Sequence, residues 1–130
     1  MDKLEARAAA NAPAEKEPAY EPEKPAFTFD EFMKQDLRAG QIIEAERIKK
    51  SKKLLKIRVD LGYEERTIVS GIAAYFAPEE LPGQRVAVVA NLKPRKMMGV
   101  ESKGMILMAE DPENGLRFVE TSARPGSVIN

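Results

Sequence analysis

Residues 55–61 read Leu-Lys-Ile-Arg-Val-Asp-Leu, with an apolar side chain at every second position and Lys56, Arg58 and Asp60 between them. Successive side chains of an extended backbone point to opposite faces, so Leu55, Ile57, Val59 and Leu61 share one face of a strand and the charges share the other. A strand with one apolar face needs neighbours, and the flanking sequence supplies them. Residues 39–48 read as a preceding strand, with Ser51 to Lys53 in the turn between, and residues 64–70 as a third strand entered through Gly62. Gly71 to Phe76 is short and apolar and reads as a buried helical turn, which Pro78 stops before a Leu81-Pro82-Gly83 turn. A fourth strand runs over residues 85–91. A fifth, over residues 103–109, is apolar on both sides, as a strand covered on two faces would be.

Three strands, a small helix and two more strands is the element order of the five-stranded oligonucleotide-binding (OB) barrel, a Greek-key closure. The expectation is an all-β domain of that kind; an SH3-like barrel or a small open sheet shares the order. A chain of 130 residues holds one such domain with a modest core. Residues 1–26 are outside it. They are mostly Ala, Glu, Lys and Pro, and Pro13, Pro18, Pro22 and Pro25 interrupt any helix, so they read as a disordered linker or a ragged terminus before a domain at residues 27–130. Order starts at Phe27: Thr28 and Glu31 form a capping box for a helix over residues 29–35, Phe27 can staple onto Phe32, and the phenyl rings would cover an end or seam of the barrel.

The sequence has no cysteine and no histidine, which removes disulfides, thiolate chemistry, imidazole acid–base catalysis and most zinc sites. Glu79 and Glu80 sit beside a turn with no acid–base partner identifiable from sequence. No catalysis, cofactor or metal is expected. No apolar run approaches the roughly 20 residues of a membrane-spanning helix, and the N-terminus lacks the apolar stretch of a signal peptide, so no membrane partner and a cytoplasmic location are expected.

The 21 basic and 21 acidic residues cancel, which leaves the local distribution to decide what the surface attracts. Between Gln41 and Arg58, Arg47, Lys49, Lys50, Lys52, Lys53, Lys56 and Arg58 stand against Glu44 and Glu46; between Asn91 and Met105, Lys93, Arg95, Lys96 and Lys103 stand against Glu101. Either run alone is an ordinary way to keep a loop soluble. Together they occupy the loops joining strands one to two and four to five, and in an OB barrel those loops flank the same binding face. The second loop adds the Asn91 amide, Gly99, and Met97 and Met98, whose polarizable side chains could meet unstacked bases or plug the core. It holds no aromatic platform, which favours recognition of a folded nucleic acid over tight single-strand binding.

Asp36-Leu37-Arg38-Ala39-Gly40, Val59-Asp60-Leu61-Gly62, Ile68-Val69-Ser70-Gly71-Ile72 with Tyr75, Asn91-Leu92-Lys93-Pro94-Arg95-Lys96 and Ser102-Lys103-Gly104-Met105 follow one another in this order. From residue 27 to about 110 the chain resembles the tRNA-binding domain family. That family includes the C-terminal appendage of bacterial methionyl-tRNA synthetase, a stand-alone tRNA-binding protein, eukaryotic synthetase-associated cofactors and a bacterial secretion chaperone. The resemblance implies an OB barrel that grips the outside of tRNA without catalysis and dimerises partly through the segment after strand five. Carried over by motif, Asn91, Lys93, Arg95, Lys96, Met97, Ser102 and Met105 would line the tRNA site, supported electrostatically by Lys52, Lys53, Lys56 and Arg58. Ser70 and Gly71 would shape the barrel, and Ala39 stands where members often carry Val. The Ala/Pro/Glu/Lys tether running directly into Phe29-Asp30-Glu31-Phe32-Met33 favours the synthetase appendage, a piece of a longer enzyme whose catalytic part needs histidines absent here. A stand-alone tRNA binder, or a peptide-binding chaperone using the Met-rich loop as an adaptable apolar surface, is the alternative. Leu116, Phe118, Val119, Val128 and Ile129 need a surface to cover them, either their own barrel or a two-fold interface, and the resemblance favours the interface.

Overall fold

The structure, a computed structural model, describes residues 20–130. Of the segment read as linker, residues 1–19 lie outside the described residues, and residues 20–26 are exposed and carry neither helix nor strand. Helix α1 spans Phe29–Phe32. Its capping box is present as read: the Glu31 N–H donates to Thr28 Oγ1 at 3.1 Å and the Thr28 N–H donates to Glu31 Oε1 at 3.1 Å. The helix is shorter than residues 29–35 because it has no buried residue to extend for. Phe29 is 73% exposed, so it does not cover the barrel as expected.

The strands are β1 (Leu37–Arg47), β2 (Leu55–Asp60), β3 (Glu65–Ser70), β4 (Arg85–Val89), β5 (Arg95–Met97), β6 (Val100–Ser102), β7 (Met105–Ile106), β8 (Met108–Asp111), β9 (Gly115–Phe118) and β10 (Val128–Ile129). The main sheet has the order β3-β2-β1-β4-β7, with β10 on β1, and every pairing is antiparallel. Its two ends meet. The Lys103 N–H donates to the Thr67 carbonyl at 2.9 Å and the Val69 N–H to Ser102 Oγ at 2.9 Å, so the chain entering β7 lies along the free edge of β3. This is the expected all-β OB-type barrel.

Leu55, Ile57, Val59 and Leu61 are fully buried, as the alternation required, together with Ile42, Ile68, Val86 and Val88, and Ile106 is buried beside them. Strand β1 serves both halves of the barrel, pairing β4 through Gln41 and β2 as far as Arg47, with an irregularity between Ile42 and Glu44 that bends it. Gly40 sits on the inside of that curve, where a Cβ would stand 2.7 Å from Val59 Cγ1. The segment after β3 makes the expected helical turn: Ile72 and Ala73 are buried and the Phe76 N–H reaches the Ile72 carbonyl at 3.1 Å.

Two stretches differ from the sequence reading. The fifth strand is divided at Leu107, whose N–H bonds to the Ala87 carbonyl at 2.9 Å while its carbonyl faces the Val119 N–H at 3.5 Å; there the chain leaves β4 and turns to pair with β9. The apolar residues of 111–130 largely cover their own barrel. Leu116 and Phe118 pack against the core, the Phe76 and Phe118 ring centroids are 4.8 Å apart, and Ile129 lies opposite Leu37. Only Val119 and Val128 of the five named residues are left exposed. In the β8–β9 turn the Asp111 carboxylate accepts from the Asn114 side chain and the Glu113 N–H, which together hold its pKa below the usual aspartate value.

Candidate nucleic-acid interface

The basic segment between β1 and β2 is shaped by Ser51, whose Oγ accepts from the Lys53 N–H at 3.1 Å and the Leu54 N–H at 3.2 Å. Lys49, Lys50, Lys52 and Lys53 project from it and are exposed. It delivers the chain to Leu55, which lies opposite Ser70 at the end of β3. Ser102 is bonded to Val69, one residue from Ser70. The two basic segments therefore meet the β2–β3 pair at the same end, about two strand spacings or ~10 Å apart across it.

The second segment, expected as a loop between strands four and five, is not an open loop. Strands β5 and β6 make a hairpin in which Arg95 faces Ser102, Lys96 faces Glu101 and Met97 faces Val100. Met98 and Gly99 form its two-residue turn with φ of 50° and 83°, the left-handed pair that a tight hairpin requires. Residues directly opposite share a face and neighbours along a strand alternate. Arg95, Met97, Val100 and Ser102 thus share the side that leans on β3, and Lys96 stands on the other side, next to Glu101. Arg95 and Lys96 point apart. Lys93, Arg95, Lys96 and Lys103 are all exposed, and none of them, nor Lys52 or Lys53, has a carboxylate within 4 Å among the described residues. Leu92, Met98 and Met105 lie exposed among these cations, and Met97 is half-buried.

Two of the residues carried over by motif have their polar groups engaged inside the fold. The Asn91 amide accepts from the Asp36 N–H at 2.9 Å and donates to the Lys34 carbonyl at 2.6 Å, pinning the exit of α1 to the end of β4. Ser102 is 5% exposed, accepts from Val69 N–H and donates to the Gly104 carbonyl at 3.2 Å. It is the buried polar side chain that closes the barrel seam, not a side chain lining a surface. Replacing it by alanine strands the Val69 N–H, which costs about 1–3 kcal/mol. For Ser102→Ala we expect a lower thermal midpoint and an unchanged RNA affinity below it; a loss of affinity without a loss of stability would return Ser102 to the interface.

Lys56 and Arg58, expected to add positive potential, are paired. Lys56 Nζ is 3.6 Å from Glu46, and Arg58 reaches Glu44 at 3.2 Å while its other nitrogen bonds Glu65. The Glu65 hydrogen bond, with the charges of Glu65 and Glu44 beside it, raises the Arg58 pKa further above its usual value.

A family model described as "Putative tRNA binding domain" matches residues 37–127. The chain belongs to the tRNA-binding domain family. It is 48% identical to methionine–tRNA ligase of Christiangramia forsetii over 133 residues and 51% identical to that of Flavobacterium johnsoniae over 132 residues, in each case over 100% of this chain. The chain spans 19% and 18% of the length of these two enzymes. Among solved structures, the MetRS related protein from Pyrococcus horikoshii matches with a TM-score of 0.75 and 42% identity, over 82% of this chain and 99% of that one. The CsaA chaperone from Bacillus anthracis shares the fold, with a TM-score of 0.72 at 22% identity over 82% of this chain and 100% of that one.

In this tRNA-binding domain two features escaped the sequence reading. The hairpin strands are three residues each and too polar for an alternation signal, although Met98-Gly99 between two short β-capable runs was a turn signal. The partner of Arg58 on β3, Glu65, lies seven residues away and diagonal to it, and only the register between β2 and β3 brings them together.

Proposed function

We propose that this domain is the tRNA-binding module of a methionine–tRNA ligase, appended to its catalytic part in the cytoplasm and itself non-catalytic, which raises tRNA affinity by adding phosphate contacts. The observation that carries the reading is the gathering, on two segments at one end of the β2–β3 pair, of exposed cations with no carboxylate partner among the described residues. On this reading Lys52, Lys53, Lys93, Arg95 and Lys96 meet the RNA backbone, Met97 and Met105 contribute apolar contact beside them, and Asn91 and Ser102 hold the surface in place. Two copies associate through Val128 and the exposed side chains of α1, which adjoin the β1–β10 pair, and through Val119, which lies beside β4.

A mobility titration against total tRNA at several salt concentrations, with unstructured RNA of equal length as competitor, tests this, with sedimentation of the same sample reading the copy number. If about five cations engage phosphates, the logarithm of the affinity falls with the logarithm of salt with a slope near −4.5. Preference for tRNA with that slope is the expected result. Salt-insensitive binding, together with capture of unfolded polypeptide, would replace it by a chaperone reading.

A further inference from the structure

The outer face of the three-stranded meander lies beside the two basic segments and carries the opposite charge. Strand β1 contributes Glu44 and Glu46, β2 contributes Lys56, Arg58 and Asp60, and β3 contributes Glu65 and Thr67. The register sets Glu44 against Arg58, Glu46 against Lys56, Asp60 against Glu65 and Arg58 against Thr67, so these side chains share a face. Four carboxylates stand there against two cations. Both cations are already paired: Lys56 with Glu46, and Arg58 with Glu44 through one terminal nitrogen and Glu65 through the other. Asp60 accepts from the Gly62 N–H at 2.7 Å. No aromatic ring stands among these residues.

A single strand laid along this face would set its phosphates beside unneutralised carboxylates. It could take Arg58 only by displacing Glu44 or Glu65, and no ring would stack its bases in return. A folded RNA is different, because its stiff backbone can span the two basic segments without descending to the sheet. We propose that Glu44, Glu46 and Glu65 determine specificity by closing the open sheet face to single-stranded nucleic acid, leaving only a folded RNA whose phosphates reach both basic segments. The inference rests on the tRNA-binding reading for the folded ligand, and the exclusion of single strands can be read independently of it.

The test uses the full chain and two probes, total tRNA and a 15-nucleotide oligouridylate of roughly the length an OB barrel accommodates. The Glu44→Gln/Glu65→Gln variant removes two exposed carboxylates isosterically. Glu79→Gln/Glu113→Gln makes the same change in net charge away from the face. The expected result is that oligouridylate affinity rises roughly tenfold in the first variant, with a salt slope steeper by about 0.7 as Arg58 takes up a phosphate. The control gains far less, and tRNA affinity changes alike in the two variants. Adding Arg58→Gln to the first variant should abolish the gain. Equal oligouridylate gains in the two variants, a gain that survives Arg58→Gln, or no gain at all would overturn the proposal. Failure of the unmodified chain to bind tRNA would defeat the functional reading instead, while the oligouridylate comparison would still decide whether the carboxylates exclude a single strand.

Discussion

Reversing two charges in the second basic segment, Lys93→Glu with Arg95→Glu, should lower tRNA affinity by about a hundredfold or more and leave the thermal midpoint nearly unchanged. Hydrogen bonds to charged groups contribute about 1.5–3 kcal/mol each, so losing two reaches that range before the repulsion of the new carboxylates is added. Both side chains are exposed, and neither bonds to another described residue, so the fold has nothing to lose with them. The salt slope should flatten by about 1.8 as two phosphate contacts disappear. Lys96→Glu should have a smaller effect, since Lys96 stands across from Glu101 on the far side of the hairpin from Arg95. Titration of the double variant, of Arg95→Glu alone and of Lys96→Glu alone beside the parent chain reads these differences, with thermal melts to verify folding. Equal losses for Lys96 and Arg95 would mean that the RNA wraps the hairpin rather than resting on one side. A collapse in stability would mean that Lys93 and Arg95 hold the barrel together.

The barrel was legible where a short-range pattern carries the information. Alternation at Leu55, Ile57, Val59 and Leu61 fixed the inner face of β2, and Thr28 with Glu31 fixed the start of α1, because both depend on residues a few positions apart. The site was legible as two runs of charge, which is a property of composition. Whether each charge is available is decided by register. Lys56 and Arg58 read as part of a basic run until β1 and β3 bring Glu46, Glu44 and Glu65 alongside. The Ser102-Lys103-Gly104-Met105 motif behaves in the same way. Its spacing marks it as special without saying that Ser102 turns inward to β3, or that Gly104, at φ 135° with the Val89 carbonyl 2.9 Å from where a Cβ would be, marks the close approach of the seam to β4. Residues 111–130 were harder still, because an apolar side chain gives no hint of whether the surface that covers it is its own or a partner's.

A large loss of stability from a single methyl group should come from Gly126→Ala, about 3 kcal/mol, seen as a fall in thermal midpoint of roughly 15 °C. Gly126 has φ of 92° and faces the turn after β2 so closely that a Cβ would lie 2.7 Å from the Leu61 carbonyl oxygen; Gly62, at φ 88°, would set a Cβ 2.6 Å from the Pro125 carbonyl oxygen. Each obstacle is backbone, so no side-chain rotation relieves it. Moving this strap outward breaks the bonds that hold it: Gly126 N–H to the Ala39 carbonyl at 2.8 Å, Ala39 N–H to the Ser127 carbonyl at 2.8 Å, and Arg38 to the Gly126 carbonyl at 3.2 Å. Arg38 is itself held by Asp36 at 2.9 Å and lies 5.1 Å from the centre of the Tyr63 ring; the Asp36 hydrogen bond, above all, raises its pKa against the opposing effect of desolvation. Gly99→Ala separates strain from collision, because Gly99 has φ of 83° but nothing within 4 Å of the position of a Cβ, so it should cost only about 1 kcal/mol. Melts of the two variants that coincided would show that the strap yields freely. The strap grips β2 at its Asp60 end, whereas the basic segments meet the sheet at the Leu55 end, roughly 17–20 Å away along the strand. Gly126→Ala should therefore bind tRNA as the parent chain does at any temperature where it stays folded, since the bonds that hold this strap and the cations proposed to meet the RNA lie at opposite ends of the same strands.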